Sequence, residues 1–322
     1  MYGLTKRVIL DVDTGIDDAI AVSLAVLSPE LEVAAITTVS GNVHVDKTSI
    51  NTLRVLENIG VKGVPVAKGM SKPLVKPLVT AEDVHGSDGL GDLGLPQPKS
   101  SLDARHAVDL IIEEVREHPG DTWIITTAPI TNLAVALLKE PETADGISGV
   151  ISMIGAFNVT PYGYGNVTPV AEFNAWSDPE ALKVVLESGV KIRMVGLDVT
   201  MDPSTAFNAD ELEELKNTGV PAAVLAARLS LFYIRRTGDP LMRMHDPLAV
   251  AAAIVDDVVE FERYPIYVDV REGLTRGQTI ADRREKILGY KWGPQGYAGV
   301  AVGVNGEKFK SLLVEKLTSG PR

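Results

Sequence analysis

The 322-residue chain contains no cysteine, so no disulfide framework holds it together. It has no apolar run near the ~20 residues that a membrane-spanning helix needs. No charged-then-apolar leader with a small-residue cleavage site precedes the first apolar stretch, Val8-Ile9-Leu10. Basic side chains are in the minority, 31 Lys and Arg against 43 Asp and Glu. A net charge of -12 argues against a protein that neutralises the phosphates of a nucleic acid. Tryptophan is scarce, with only Trp123, Trp176 and Trp292. These absences lead to the expectation of a cytoplasmic protein that binds neither membrane nor nucleic acid. What is present is an apolar fraction of 45%, enough for a large core, with nothing that suggests disorder.

β-branched apolar runs alternate with amphipathic helical patterns. Strands are expected at Arg7–Asp13, Leu31–Val39, Val64–Ala67, Trp123–Thr127, Val150–Ile154 and Ile192–Leu197. Helices are expected at Asp17–Leu27, Val45–Ile59, Asp103–Glu117, around Leu133–Leu138 and at Asp178–Glu187. Asp103 and Asp178 are read as N-caps, the latter followed by Pro179. This order predicts one α/β domain over residues 1–322, with three layers: a mostly parallel, Rossmann-like central sheet and helices on both faces. Residues 68–102 lack periodicity, and so long a loop in a compact domain is usually functional or mobile. Residues 205–245 read as mostly helical.

The densest chemistry is Asp11-Val12-Asp13-Thr14-Gly15-Ile16-Asp17-Asp18, four carboxylates in eight residues where the first strand meets the first helix. In doubly wound sheets, ligands bind beyond the carboxyl ends of the strands. Crowded carboxylates repel one another, and a hard divalent cation such as Ca²⁺ or Mg²⁺ relieves the repulsion. Alternatively, Asp17 and Asp18 simply favour the positive end of a helix. An EF-hand is excluded, because its sixth and twelfth places hold Ile16 and Val22. A phosphatase of the haloacid-dehalogenase type, with Asp11 as nucleophile, stays open on the Asp-x-Asp pattern.

Two distant segments carry matching chemistry. Gly165–Asn174 offers Asn166, Glu172 and Asn174, groups that bind hydroxyls well, although a plain polar loop has the same composition. His245-Asp246-Pro247 opens an alanine-rich helix, where Asp246 is read as the cap and Pro247 as the first helical residue. Ser40-Gly41-Asn42 and Thr127–Asn132 end two further strands.

With these segments in order, the chain resembles the inosine-uridine preferring nucleoside hydrolase family along nearly its whole length. The motifs are DVDTGIDDA at 11–19, GN at 41–42, HG at 85–86, TN at 131–132, GNVTPVAEFN at 165–174 and HDPLA at 245–249. The resemblance implies Ca²⁺-dependent hydrolysis of ribonucleosides to ribose and free base. It implies Asp13, Asp18, Asp246 and the Thr127 carbonyl as Ca²⁺ ligands, and Asp13 as the general base, with Asp11 in support. Asp17, Asn42, Met153, Asn166, Glu172, Asn174 and Asp246 are the implied substrate-binding set. His245 and His85 are implied at the leaving base. It further implies a homodimer or homotetramer. Histidine at position 85, where purine-specific relatives would carry a stacking aromatic, favours a pyrimidine-preferring or nonspecific enzyme. Phe232 and Tyr233 are candidates for the base or for the core. The stretch between Met153 and Asn166 is long for the family, and residues 283–297 show no interpretable pattern. A silent Ca²⁺-linked nucleoside or ribose binder is the remaining alternative.

Overall fold

The computed structural model describes residues 5–284 and 293–320. Nine strands form the main sheet: β1 Lys6–Val12, β2 Leu31–Thr38, β3 Val66–Lys68, β4 Thr122–Thr126, β5 Gly149–Ser152, β6 Ile192–Met194, and, after a small β7–β8 pair (Phe207–Asn208 with Leu241–Met242), β9 Val259–Val268, β10 Thr279–Ala281 and β11 Gly296–Val304. Their order is β10-β9-β11-β6-β5-β4-β1-β2-β3. From β3 to β6 every neighbouring pair is parallel. β11 continues parallel to β6, whereas β9 runs antiparallel to β11 and β10. The strand order reverses between β1 and β4, which opens a crevice at their carboxyl ends.

Both faces of the sheet are buried, so β1 reads as a continuous apolar run rather than an alternating one. Val8, Leu10 and Val12 enter one core and Ile9 the other. The first core is closed by helices that include Ile16–Leu27, Pro221–Thr237, His245–Ile254 and Gly306–Ser319. The second is closed by Ala107–Glu117, Thr131–Lys139 and Pro179–Glu187. The three-layer, mostly parallel α/β architecture read from the sequence is the one observed. No helix among the described residues is long and apolar enough to cross a membrane.

Three local readings are corrected. The helix expected from Asp103 begins at Ala107, capped by His106, whose Nδ1 accepts from Val108 N. Asp103 instead holds Arg105 through both carboxylate oxygens. The Asp246 helix starts at His245, two residues before the Pro247 expected as its first, and has no side-chain cap, so Asp246 lies in the first turn and Pro247 is third. The strand expected to reach Leu197 stops at Met194, and Leu197 opens a short helix to Thr200. The antiparallel β9, β10 and β11 follow the last strand expected. Within the unpatterned 283–297 segment, residues 285–292, including Trp292, lie outside the described residues.

Candidate active site

Helices Ile16–Leu27 and His245–Ile254 pack against each other. Both are rich in buried alanine: Ala19, Ala21 and Ala25 in one, Ala249 and Ala251–Ala253 in the other. Small side chains bring the two first turns close. One carboxylate oxygen from each of Asp17, Asp18 and Asp246 then lies within 4.8 Å of the other two.

Asp18 is the most firmly held. Its Oδ1 accepts from Thr127 Oγ1 at 2.8 Å, and its Oδ2 from Gly15 N at 3.0 Å and Asn42 Nδ2 at 2.9 Å. Asp13 Oδ2 accepts from Asn42 N at 2.6 Å, while its Oδ1 is buried without a partner. Two glycines permit this packing. A Cβ at Gly15 would meet His85 Nδ1 at 2.5 Å, and one at Gly41 would meet Asp13 Oδ2 at 2.0 Å.

Burial pushes every one of these acids up. Asp17 is raised to about 7, by burial first and then by Asp18. Asp13 and Asp246 rise well above the ordinary range for the same two kinds of reason, burial and neighbouring carboxylates. Among the described residues no lysine or arginine ion-pairs with any of them. An all-oxygen donor set, a partnerless Asp13 oxygen and uncompensated negative charge together fit a hard divalent cation.

The cluster forms the floor of a cavity of about 460 Å³. Its walls bring together Asp17, Asn42, His85, Thr127, Met153, Asn166, Glu172, Asn174, His245 and Asp246, from seven separate stretches of chain. Asp13 and Asp18 lie beneath them, essentially buried. Glu172 caps helix Phe173–Ser177 and accepts from Gly155 N, Asn174 N and Ala175 N at 2.7 to 3.0 Å. Asn174 Nδ2 donates to the carbonyls of Thr127 and Met153, both at 3.0 Å. The Thr127 carbonyl is therefore shared with an amide and keeps one lone pair for a cation. Asn166 sits at the exposed rim, its Oδ1 accepting from Phe173 N at 3.0 Å.

His85 is buried and His245 half-buried, and both rings are neutral. Burial lowers each to about 4, and His245 feels Arg243 and His85 as well. His245 Nδ1 lies 2.7 Å from Thr200 Oγ1.

Asp11 is not in the cavity. It is fully buried, and its Oδ1 accepts from Thr37 Oγ1 at 2.6 Å and Asn132 Nδ2 at 2.8 Å. A carboxylate so enclosed cannot attack a phosphate ester, which removes the phosphatase reading.

The model of the inosine-uridine preferring nucleoside hydrolase family matches residues 8–311. This chain belongs to that family. The hydrolase is 36% identical over 319 residues to the inosine-uridine preferring nucleoside hydrolase of Leishmania major, covering 98% of each chain. It is 37% identical over 318 residues to a pyrimidine-specific ribonucleoside hydrolase of Citrobacter koseri, covering 96% of this chain and 97% of that one. Among solved structures, a plant nucleoside hydrolase superposes with a TM-score of 0.90 at 33% identity, over 98% of this chain and 99% of that one. A purine-preferring ribonucleoside hydrolase from Gardnerella vaginalis gives 0.88 at 33% identity, over 98% of both. The chain is thus an N-glycosyl hydrolase.

Several cavity residues of this nucleoside hydrolase carry no clear sequence signal. Val79, Thr80 and Ala81 reach the cavity from the 68–102 loop. Asp178 and Asn132 anchor that loop by accepting from Leu74 N and Met70 N, each at 2.9 Å. Tyr233 lines the cavity and also packs against the first core, and Phe232 packs against that core near Gly91. Trp176 also lines it, on the helix that carries Asn174, whereas Trp123 lies in β4 with its ring against Gly149. Arg243 and Met242 complete the wall beside His245.

Proposed function

We propose that the enzyme hydrolyses the N-glycosidic bond of ribonucleosides, with Ca²⁺ as its cation and a pyrimidine-preferring or nonspecific choice of base. One observation carries this reading. Three carboxylates converge within 4.8 Å beside amides and a glutamate suited to a pentose, in a cavity large enough for a nucleoside. Asp13, Asp18, Asp246 and the Thr127 carbonyl would hold the cation, and Asp17 would share the ribose side. When bound, Ca²⁺ supplies orientation of the water and the ribose diol.

The chain's own groups do the rest. Asp13 Oδ1 has no protein partner and takes the proton of the attacking water, a contribution of roughly 10²–10⁴ in rate. Asn42 N, bonded to the other oxygen, keeps Oδ1 turned toward that water. Asn174 and Asp17 bind the 2′ and 3′ hydroxyls, and Asn166 and Glu172 the 5′ hydroxyl. Negative charge on Glu172 favours the positive charge that grows on the ribosyl group. His85 and His245 face the departing base. Histidine at position 85 and the resemblance to a pyrimidine-specific relative support the base preference. The same reading makes the enzyme a cytoplasmic homodimer or homotetramer.

Reducing-sugar release from uridine, cytidine and inosine, with and without chelator, tests the proposal. Release that chelator abolishes and Ca²⁺ restores is expected. A protein that binds ribose tightly with Ca²⁺ and turns over none of the three would be a silent binder instead.

A further inference from the structure

Arg243 lines the cavity next to His245, yet most of its hydrogen-bonding capacity is unused. Its side chain is 17% exposed. Its protein partner is the Asp239 carboxylate, reached through one terminal nitrogen. Asp239 is itself fixed, because its Oδ1 accepts from Leu241 N at 3.0 Å. Among the described residues, the buried Nε of Arg243 has no partner. A guanidinium carries five N–H donors and stays charged at every working pH. One so enclosed, and so poorly matched, is costly unless something in the cavity completes its bonds.

Its neighbours indicate which end of the substrate that is. The Arg243 charge acts on His245 and on Tyr233, both cavity residues. Met153, Asn166, Glu172 and Asn174 of the ribose set come from other stretches of chain, after β5 and around the start of helix Phe173–Ser177. Among the described residues that line the cavity, Arg243 is the one lysine or arginine. We propose that Arg243 receives a carbonyl oxygen of the departing base and stabilises the charge that develops there.

The inference rests on the ribonucleoside hydrolysis proposed above and adds to it. As the C1′–N bond breaks, its electron pair stays with the base nitrogen and spreads onto the ring carbonyl facing the guanidinium. Water gives its hydroxyl to C1′ and its proton to Asp13; the base anion takes a proton from solvent water, directly or through His85, and Asp13 gives its proton to the hydroxide so formed. The sum is nucleoside plus water giving ribose plus base. Uracil, cytosine and hypoxanthine carry such a carbonyl, whereas adenine does not.

The test compares wild type, Arg243→Gln and Arg243→Lys on three substrates: uridine, adenosine and p-nitrophenyl β-D-ribofuranoside, whose nitrophenolate departs readily unaided. Loss of one preorganised donor to a developing anion costs on the order of 10²–10³ in rate. For Arg243→Gln, kcat/KM on uridine is expected to fall ~10²-fold further than on the nitrophenyl riboside or adenosine. Arg243→Lys, which keeps the charge without the planar fork, is expected between the two. Equal losses on all three substrates would overturn the proposal and make Arg243 a support for the Asp239 turn. So would no loss on uridine. Should Arg243→Gln fail to fold, the uridine-to-nitrophenyl ratio in Arg243→Lys decides alone. Wild-type inactivity on every substrate would instead refute the hydrolase reading itself.

Discussion

The backbone N–H of Ile16 donates to Nδ1 of His85 at 3.0 Å. This one bond ties the 68–102 loop to the first turn of the helix that carries Asp17 and Asp18. It also fixes the tautomer: with Nδ1 accepting, the neutral ring holds its proton on Nε2. His85 can then donate to a substrate through Nε2.

Nitrogen-15 chemical shifts of the histidine rings check this. His85 is expected to be the Nε2–H tautomer from pH 5 to 8 and to protonate only near 4, the value to which burial lowers it. Titration near 6.5 would contradict the assignment. His85→Ala frees the Ile16 N–H, and kcat/KM on uridine is expected to fall about 10²-fold, the low end of the range for a lost general acid.

Asp13→Asn keeps the size of the side chain and removes its basicity. The expected loss in kcat is ~10²–10⁴. Stopped assays at saturating uridine and Ca²⁺ measure it. A decrease confined to KM would assign Asp13 to binding alone.

Stability should depend on pH with a sign set by two opposing groups. Asp11 is raised to about 6 and Asp17 to about 7 from 3.8, in both cases chiefly by burial. Folded, they hold protons that the unfolded chain has released, so their stabilisation is full below 3.8 and is lost as pH rises through 6 and 7. His85 and His245 are lowered to about 4 from 6.5. Their stabilisation is lost as pH falls from 6.5 toward 4 and is constant above 6.5. Above 6.5 only the carboxylates contribute a slope. In chelator the Tm is therefore expected to fall between pH 6.5 and 8. Saturating Ca²⁺ should abolish the fall, adding about 2.7 kcal/mol at 100 times Kd. Calorimetry with and without chelator reads this, and a Tm rising over that window in chelator would contradict it.

Asp198 organises the stretch before Asn166. Its carboxylate accepts from Phe157 N and Val159 N, each at 2.7 Å, and from Thr160 N at 3.3 Å. It thereby holds Asn158 at a φ of 54°, a left-handed conformation that is uncommon outside glycine. Asp198→Ala strands these donors, and a loss of about 2–4 kcal/mol in denaturant unfolding is expected from buried unsatisfied groups. The variant should also discriminate less between uridine and 5′-deoxyuridine. An unchanged ratio would separate this loop from the 5′ hydroxyl.

The half of the fold that obeys strand–helix alternation was legible, because parallel strands buried on both faces carry an apolar signal of their own. β9 was not: Val259–Val268 mixes Glu260, Glu262 and Arg263 with aromatics, and includes Pro265. Antiparallel pairing with β11 and β10 gives it no companion helix to mark its place. The acidic floor of the cavity could be read because its residues are clustered in sequence. Asp198 and Arg243 could not, since each takes its meaning from a loop or a neighbour that only the fold supplies; Asp178 was legible as the cap of Pro179–Glu187 but not as the anchor of Leu74. Caps were misjudged at Asp103 and Asp246 because an arginine claims the first and the helix starts one residue before the second.

The alanine-rich packing of the two first turns has a further consequence. The separation of Asp17–Asp18 from Asp246 follows from how closely helices Ile16–Leu27 and His245–Ile254 pack. On the Ca²⁺ reading proposed above, preference for that ion over the smaller Mg²⁺ would reside partly in buried alanines that carry no ligand atom. A bulkier residue at Ala249 would widen the grip and weaken Mg²⁺ more than Ca²⁺, a ratio that titration calorimetry of the two ions would read directly.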